Sequence, residues 1–420
     1  MSNNDNKIDD KNRNVPVLRF EGFTDPWVQC KLNNFVEFYS GQTYSPADVQ
    51  EVGTLILRSS NINDGKIIDA DNVYINSEKI NSPNVQTGDI IVVVRNGSRS
   101  LLGKHAQILQ ESPKTVIGAF MTGIRSKSPS FVNALLDTTN FYRQISNNLG
   151  ATINQITNYM FDRMNFIIPT ISEQNKIGEL ISTLNKIITL EQEKLEHLTD
   201  ISNYLSSKLF PKKSMVSPVL RKIQKSEDWK KHQLGEYGES FGGLTGKIKN
   251  DFGHGEAKYI TYKNIFDNIF VDSNQLDATP IDHKQNKVLF GDTLFTLSSE
   301  IPEEVGMSSV CLLEIEELYV NSFSFGYRLN PDKEVNYLYL AYYFRSVEFR
   351  DKMRILAQGI SRYNISQQQV MNLYILLPDI EEQKFVGEVL NTNNQYIKLQ
   401  NKKIKKLKTL RQFLLQNLFI

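Results

Sequence analysis

The segment PTISEQNKIGE at residues 169–179 recurs as PDIEEQKFVGE at residues 378–388, and this recurrence decides the fold. Both segments follow the pattern P-x-I-x-E-Q-x-x-x-G-E. A proline closes the preceding strand, and early glutamates suit the positive end of a helix dipole. Ser172 is a candidate N-cap for the first helix. The pattern therefore predicts two long helices that begin near Ile171 and Ile380.

The rest of the chain repeats in the same order. Pro16-Val-Leu-Arg19 recurs as Pro218-Val-Leu-Arg221 at an offset of 202 residues. At an offset of 203, matched residues include Gly88-Asp89 with Gly291-Asp292, and Phe120, Gly123 and Arg125 with Phe323, Gly326 and Arg328. From the two prolines of the helix-start pattern onward the offset is 209. Order kept over a whole copy is not chance similarity, so the chain is an internal duplication.

Each copy first alternates short β-rich runs with helical patches. The runs DIIVVVR at residues 89–95 and GDTLFTL at 291–297 are typical of buried strands bounded by turn residues. NFIIP and LYILLP close the two copies just before the long helices, and VNYLYLAYYFRS at 335–346 is typical of a helix. The pattern predicts a compact α+β domain in each copy.

Apolar residues of both long helices alternate at steps of three and four, which predicts a heptad seam. The seam residues are Ile181, Leu184, Ile188, Leu195, Leu198 and Leu205 in the first helix, and Leu390, Ile397, Ile404, Leu407 and Leu414 in the second. EQEKLEHLTD at 191–200 is acidic, whereas KKIKKLKTLR at 402–411 carries six bases and no acid. Opposite charges favour pairing of the two helices with each other. A solvated basic face and phosphate contact are the alternatives for the second run.

The predicted fold is α+β, with two similar globular domains separated by an antiparallel, pseudo-twofold pair of long coiled-coil helices. About 38 helical residues at about 1.5 Å each give a spacer of about 57 Å. The expected segments are a disordered N-terminal tail (1–15), a first globular domain (16–170), a central spacer helix (171–210), a linker (211–228), a second globular domain (229–379) and a C-terminal spacer helix (380–420).

Composition and motifs argue against catalysis by this chain. The 420 residues carry a formal net charge of +1, and the two cysteines form no CxxC pair. FGGLTGKI at 241–248 lacks the first glycine and the Ser/Thr of a P-loop, and the five histidines show no metal-ligand spacing. No apolar run is long enough to cross a bilayer. We therefore expect a non-catalytic protein of a reducing cytoplasm.

The opening PVLRFEGFTDPWVQCKL at residues 16–32, the two helix starts and the duplicated plan resemble the specificity subunit of Type I restriction-modification systems. The resemblance implies that each globular part is a target recognition domain reading one half of a bipartite double-stranded DNA sequence. It also implies that the helices dock two adenine methyltransferase subunits, which restriction (nuclease-translocase) subunits join. The S-adenosylmethionine, ATP and magnesium sites would lie on those partners, and this chain would bind no cofactor.

Candidate DNA contacts in the first copy lie on two polar loops. Gln42 and Thr43 follow an early strand, where a glycine lets the backbone approach a phosphate. The run VRNGSRS at 94–100 offers four more candidates, namely Arg95, Asn96, Ser98 and Arg99. Arginine pairs with a guanine edge or a phosphate, and asparagine with an adenine edge. Turn glycines and an ordinary hairpin turn are the structural alternatives.

Candidates in the second copy fall at matching places but differ in chemistry. Thr245 corresponds to the first loop, and Ser298 and Ser299 replace the arginine-containing run, which implies different bases. Ser361 and Arg362 lie in a loop before the final strand, matched by Leu149–Asn154. Two further candidates are the phosphate-binding lysines Lys247 and Lys263, for which a solvated surface is the alternative.

Two other classes of function remain open on sequence grounds. A protein-protein scaffold could use duplicated domains and a coiled coil without binding DNA, and a salt-dependent DNA shift in the presence of a partner would separate the two classes. A self-contained restriction-methylation enzyme is the third reading, which the missing motifs disfavour.

Overall fold

The computed structural model describes residues 14–149, 154–212, 215–222 and 227–420. The chain forms two compact units. Unit 1 comprises the residues up to Glu193 together with Lys402–Ile420, and unit 2 comprises Lys194–Asn401. Most of the predicted tail at 1–15, and the interior of the predicted loop Leu149–Asn154, lie outside the described residues. Among the described residues, no helix combines the length and the hydropathy that a bilayer-spanning segment requires.

The first copy contains twelve strands and four α-helices among the described residues. The strands are β1 (Val28–Lys31), β2 (Val36–Ser40), β3 (Val49–Gln50), β4 (Thr54–Leu57), β5 (Ile62–Asn63), β6 (Lys66–Ile67), β7 (Val73–Ile75), β8 (Ile90–Val93), β9 (His105–Gln107), β10 (Thr115–Ile117), β11 (Met121–Ser126) and β12 (Asn165–Ile168). The helices are α1 (Pro129–Leu136), α2 (Thr139–Asn148), α3 (Asn158–Arg163) and α4 (Ile171–Leu209).

The second copy contains eleven strands and six α-helices among the described residues. The strands are β13 (Lys230–Gln233), β14 (Gly238–Gly242), β15 (Ala257–Ile260), β16 (Leu276–Thr279), β17 (Thr293–Thr296), β18 (Ser298–Ser299), β19 (Ser308–Val310), β20 (Leu318–Val320), β21 (Ser324–Leu329), β22 (Tyr363–Asn364) and β23 (Tyr374–Leu377). The helices are α5 (Leu234–Tyr237), α6 (Tyr262–Asp267), α7 (Tyr337–Tyr343), α8 (Val347–Leu356), α9 (Gln367–Met371) and α10 (Ile380–Asn417).

The two units share one topology, which confirms the duplication. An antiparallel sheet has the order β2-β11-β8-β9 in unit 1 and β14-β21-β17-β19 in unit 2. A second sheet pairs β4 parallel with β10 in unit 1 and β15 parallel with β20 in unit 2. A third, two-stranded sheet pairs β1 with β12 and β13 with β23, and its last strand leads into the long helix. Each unit is α+β, as predicted.

The helix-start pattern is explained by contacts that each copy makes with itself. Glu173 lies at the start of α4 and receives two hydrogen bonds from Arg19, at 2.8 and 2.9 Å. In unit 2, Glu382 receives the same pair from Arg221, at 2.9 and 2.6 Å. Both carboxylates are buried, and in each copy the bidentate arginine offsets the cost of that burial. The repeated Pro-Val-Leu-Arg run therefore supplies the cation for each helix start.

The glutamine and the glycine of the pattern set how the helix meets its domain. The Gln174 side chain donates to the carbonyl oxygen of Pro169, and Gln383 donates in the same way to Pro378, both at 2.9 Å. A Cβ on Gly178 would lie 2.5 Å from the backbone nitrogen of Phe131, so only glycine lets α4 approach α1 this closely. Gly387 plays the same part in unit 2 against α7.

The first backbone hydrogen bond of each long helix is accepted by the residue just before the helix begins. The backbone nitrogen of Gln174 donates to the carbonyl of Thr170, and that of Gln383 to Asp379. The Asp379 carboxylate also accepts from the backbone nitrogen of Glu382 at 2.8 Å. The prediction of Ser172 as N-cap is wrong, because Ser172 already lies inside α4 and the capping position precedes it.

Each core includes the end of the long helix that starts in the other copy. In unit 1, Leu415, Leu418 and Phe419 pack into the main core, and Phe419 stacks on Phe131 with the ring centroids 5.4 Å apart. In unit 2, Leu209 and Phe210 pack against the aromatic cluster of α7. The backbone nitrogens of Leu18 and Leu220 donate to the carbonyls of Asn417 and Lys208 at these helix ends. Neither core is complete without residues of both copies.

The paired helix segments run antiparallel within each unit. In unit 1, Asn185 accepts from Arg411 at 2.6 Å and Glu191 pairs with Lys403 at 2.6 Å, so residue numbers rise on α4 as they fall on α10. This ion pair joins the first acid of the acidic run to the basic run. In unit 2, Asn393 donates to the carbonyl of Leu198. Polar residues that interrupt a heptad seam in this way fix its register.

All the predicted seam residues are buried or half-buried. In unit 1 these are Ile181, Leu184, Ile188, Ile404, Leu407 and Leu414, and in unit 2 Leu195, Leu198, Leu205, Leu390 and Ile397. The spacing of three and four therefore located the packed face of both helices.

We predict that Arg221→Ala lowers the free energy of unfolding by about 3–5 kcal/mol, because it leaves the buried Glu382 carboxylate without its bidentate partner. Chemical denaturation of the full chain measures this loss. Lys222→Ala is the matched control, since the neighbouring Lys222–Glu381 pair is exposed and 3.5 Å long. The control should cost less than about 1 kcal/mol. Equal, small effects of both variants would contradict a structural role for the buried pair.

Candidate nucleic-acid interface

The loop after β8 carries the largest group of predicted DNA contacts in unit 1. Arg95 is exposed, and its backbone forms an isolated antiparallel bridge with Gln155. The backbone nitrogens of Val94 and Arg95 donate to the carbonyl of Phe120, which precedes β11. The Arg95 guanidinium lies over the Phe120 ring, 5.1 Å from its centroid. The sheet thus presents an oriented arginine and an aromatic ring side by side at the ends of its two central strands.

The remaining predicted residues of this loop divide into inward and outward groups. Asn96 is half-buried, donates to the Ser59 hydroxyl at 3.2 Å and accepts from the backbone nitrogen of Ser98 at 2.9 Å. It shapes the turn, so its amide is not presented as an adenine reader. The Ser98 hydroxyl shares a hydrogen bond with Ser100, whereas Arg99 is exposed at the start of a short 3-10 turn.

The other predicted loop of unit 1 is used by the fold. Gln42 is buried, its amide donates to the carbonyls of Thr43 and Lys79, and its oxygen accepts from the backbone nitrogens of Asn81 and Ser82. All of its hydrogen-bonding capacity is directed inward, so this side chain is not presented to a ligand. A Cβ on the preceding Gly41 would lie 2.0 Å from the carbonyl oxygen of Gly118, which explains that glycine by close backbone approach. Thr43 itself is exposed.

Thr245, Lys247 and Lys263 of unit 2 are held by local partners. The backbone nitrogen of Thr245 donates to Gln285 at 3.0 Å, and half-buried Lys247 pairs with Asp282 at 2.7 Å. The hydrogen bond from Lys247 is the main cause that lowers the pKa of Asp282 to about 2, so the Asp282 carboxylate is charged at neutral pH. Lys263 is exposed and pairs with Asp267 one helical turn away, at 2.6 Å.

The counterpart of the arginine loop in unit 2 is a short, buried strand. Ser298 and Ser299 form β18, which pairs with β22 through Asn364 and Tyr363. A hairpin loop that ends in β22 is closed by two backbone hydrogen bonds that join Gln358 and Asn364. Gly359 has a φ of +147°, and a Cβ there would lie 2.0 Å from the carbonyl oxygen of Arg362, so the loop requires glycine. Ile360, Ser361 and Arg362 are exposed on it.

A surface cavity of 420 Å³ brings three of the predicted residues of unit 2 together. Ser298, Ser299 and Arg362 contribute to its lining. The Arg362 guanidinium lies over the Phe323 ring, 5.3 Å from its centroid. The other lining residues that carry chemistry are aromatic or acidic: Tyr262, Phe266, Glu300 and Glu304. Ser299 donates to Glu304 at 2.9 Å, which orients that carboxylate.

Tyr262 and Phe266 of α6 line the cavity, and two half-buried side chains hold this helix in place. The Thr261 hydroxyl caps its start by accepting from the backbone nitrogen of Asn264. Arg345 donates to the carbonyls of Ile265, Phe266 and Asn268 at its end. Burial lowers the pKa of the Arg345 guanidinium to about 10, so it remains charged at neutral pH and suits the negative end of the helix.

The first residue of α6 also fixes the floor of the cavity. The Tyr262 hydroxyl donates to the carbonyl oxygen of Ser298 at 2.7 Å. Burial is the main cause that raises the pKa of Tyr262, so the phenol stays protonated and keeps this hydrogen bond at neutral pH. The strand β18 and the helix α6 are thereby held together around the opening.

Several residues of this surface were missed by sequence reasoning. Phe120 and Phe323 were recognised as a matched pair but not as surface residues, although they are 56% and 53% exposed. The sequence signal that could have identified them is a phenylalanine kept at the same place in both copies, just before the equivalent strands. Glu300 and Glu304 could not be recognised from the sequence, because they join the site only through the hairpin that brings Arg362 into the same cavity.

The chemistry available at both places is recognition by hydrogen bonds and stacking. A guanidinium over an aromatic ring, with a hydroxyl or carboxylate nearby, matches the donors and acceptors of base edges. Among the described residues, no group of three or more His, Cys, Asp or Glu side chains is arranged to hold a metal ion.

Comparison with known proteins places the chain in a family. The profile of the Type I restriction modification DNA specificity domain matches residues 24–200 and again 226–409. The chain is 29% identical over 186 residues to the Type I restriction enzyme StySPI specificity subunit of Salmonella potsdam, a match that covers 42% of this chain and only 40% of that protein. It is 25% identical over 386 residues to the EcoKI specificity subunit of Escherichia coli, covering 85% of this chain and 80% of that one.

Solved structures agree with the fold. The crystal structure of the Type I restriction-modification S subunit from M. genitalium aligns over 97% of this chain and 99% of that chain, with a TM-score of 0.63 and 14% identity. A chain from a structural study of Type I complex assembly aligns over 93% of this chain and 96% of that chain, with a TM-score of 0.50 and 16% identity. The two profile matches, one in each copy, show that the chain belongs to the Type I restriction-modification DNA specificity family, whose members supply sequence-specific DNA recognition rather than catalysis.

Proposed function

We propose that this chain reads a bipartite DNA target, with one target recognition domain (16–170) on one half-site and the other (229–379) on the second. The observation that carries this proposal is a shared scaffold with different chemistry at the aligned positions that follow β8 and β17. Arg95, Asn96 and Gly97 of unit 1 correspond to Ser298, Ser299 and Glu300 of unit 2. One frame with two sets of side chains is suited to two different base sequences.

The long helices supply the proposed docking surfaces for two adenine methyltransferase subunits. In unit 1, Ile187 and Leu190 of α4 and Leu410 and Phe413 of α10 are large apolar side chains between 39% and 54% exposed. Unit 2 repeats this arrangement with Tyr396 and Leu399 of α10 and Ile201 and Tyr204 of α4, between 48% and 63% exposed. Exposed apolar groups that cluster in this way mark protein interaction surfaces.

The number of partners follows from the duplication. The four exposed residues of α4 correspond to the four of α10 at the offset of 209. Each unit therefore offers the same kind of surface, built from the first part of one long helix and the last part of the other. Two equal surfaces fit two copies of one partner.

We assign the chemistry to the partners. The bound methyltransferases would flip the target adenine and hold S-adenosylmethionine, and restriction subunits with their ATP and magnesium sites would join for cleavage. This chain would bring the DNA and its partners together and hold no cofactor.

The first prediction concerns the target. In a random-DNA selection, the complex of this chain with the methyltransferase subunit of its own host should enrich one bipartite sequence with two fixed half-sites. Retention should fall steeply with added salt, because phosphate contacts release counterions. Enrichment of a single contiguous motif would reject the two-reader proposal. No enrichment, together with stable partner binding, would favour the scaffold alternative.

The second prediction concerns stoichiometry. Leu190→Asp with Phe413→Asp should reduce the bound methyltransferase from two copies to one per chain, because two charges replace apolar contacts in unit 1. Truncating such anchors costs about 2 kcal/mol or more each, which is about thirty-fold in affinity. Native mass spectrometry of the purified complex counts the copies.

Three further variants complete this experiment. Leu399→Asp with Tyr204→Asp should also leave one copy, and the four changes together should leave none. Lys186→Asp is the control, since this exposed residue of α4 precedes the apolar stripe of unit 1 and is not part of it. Two copies bound to every variant would show that the partner uses another surface.

A further inference from the structure

Two exposed arginines occupy the same point of the two units although the sequence does not align them. Phe120 and Phe323 are equivalent residues that precede the equivalent strands β11 and β21. Arg95 lies over the first ring and Arg362 over the second, with the Cζ atoms 5.1 and 5.3 Å from the ring centroids. Each guanidinium group therefore lies over the equivalent phenylalanine ring of its own unit.

The two arginines arrive from different parts of the chain. Arg95 follows β8 directly, and its aligned residue in unit 2 is Ser298. Arg362 lies on the hairpin loop between Gln358 and Asn364, and the aligned position in unit 1 is Ile153, which is outside the described residues. Inheritance from one ancestral copy therefore does not account for the match. The match is explained if both units require a guanidinium group over this phenylalanine ring.

Packing does not supply that requirement. Arg95 and Arg362 are exposed, and the rings beneath them are more than half exposed. Other arginines of the fold, such as Arg345 and Arg350, are half-buried and donate to backbone carbonyl groups. The surface pair of arginine and phenylalanine is instead available to a ligand, and the ring restricts the arginine to one orientation.

The surroundings favour a base over a phosphate. Glu300 and Glu304 line the same cavity as Arg362 and would repel a phosphate group. A base pair brings no net charge to that place, and guanine presents two acceptors, O6 and N7, that match the guanidinium fork. The cytosine of the same pair presents an N4 amine that a carboxylate can accept. Arginine beside glutamate is thus complementary to a G·C pair.

We infer that Arg95 and Arg362 are matched guanine readers, so that each half-site contains a guanine contacted by one of them. This inference rests on the proposed bipartite DNA reading and adds a base and a residue to each half-site. In unit 2 the guanine belongs to a pair whose cytosine amine faces the carboxylates. In unit 1, Gly97 and Leu101 stand at the aligned positions, so the cytosine is not contacted in this way.

The test compares the recognition sequences of full-length variants bound to the methyltransferase partner, by selection from random DNA. Arg95→Gln should lower the preference for guanine at one position of one half-site by about tenfold or more and leave the other half-site unchanged. Arg362→Gln should do the same in the other half-site only. Arg163→Gln is the matched control, since it removes an exposed guanidinium that also lies over a ring, that of Tyr159, but outside the candidate loops, and base preferences should stay as in the wild type.

Arg95→Lys and Arg362→Lys separate base reading from phosphate contact. A lysine keeps the charge but not the fork, so the guanine preference should still fall. Uniformly weaker binding of the glutamine variants to all sequences, with wild-type behaviour of the lysine variants, would overturn the inference. A wild-type target in which either half-site lacks guanine would overturn it without any variant. A wild-type complex that selects no bipartite sequence would instead refute the proposed function itself.

Discussion

A buried pair of arginine and glutamate joins three parts of each unit at the start of the long helix. Arg19 reaches Glu173 from the Pro-Val-Leu-Arg run, and the same arginine donates to the carbonyl of Asp25 at 2.6 Å. Arg221 repeats both contacts with Glu382 and Glu227. Taking two charges out of water is costly unless the geometry is bidentate and the remaining donors are satisfied. In each copy the pair is bidentate and the arginine also donates to a backbone carbonyl, so the pair specifies where the helix leaves the domain.

The leucine before each of these arginines binds the end of the long helix that starts in the other copy. Leu18 and Leu220 bond the last carbonyls of the helix segments that complete their own cores, and Phe419 and Phe210 fill those cores with aromatic rings. Each unit is therefore closed by a segment from the far copy. The duplication is thus a condition of stability, because a single copy would expose the apolar groups that these helix ends cover.

The two copies differ mainly in exposed loops, where side-chain packing restricts the sequence least. The buried pairs, the helix-start glycines and the strand order are the same in both units, whereas the loops around Phe120 and Phe323 differ in charge and in backbone form. Core positions tolerate little change in volume, but exposed side chains on a fixed sheet edge vary at small cost. A frame of this kind allows specificity to change without refolding.

The sequence by itself determined the duplication, the two long helices and their packed faces, because these depend on local periodicity and on motifs that recur at a constant offset. It also offered Arg95 and Arg362 as candidate DNA contacts. Only the tertiary structure decided that Gln42 and Asn96 turn inward, that Lys247 is held by Asp282, and that Arg362 rather than Ser298 stands where Arg95 does. These outcomes depend on which groups meet across hairpins and sheets, and such long-range contacts leave no trace in the spacing of residues along one chain.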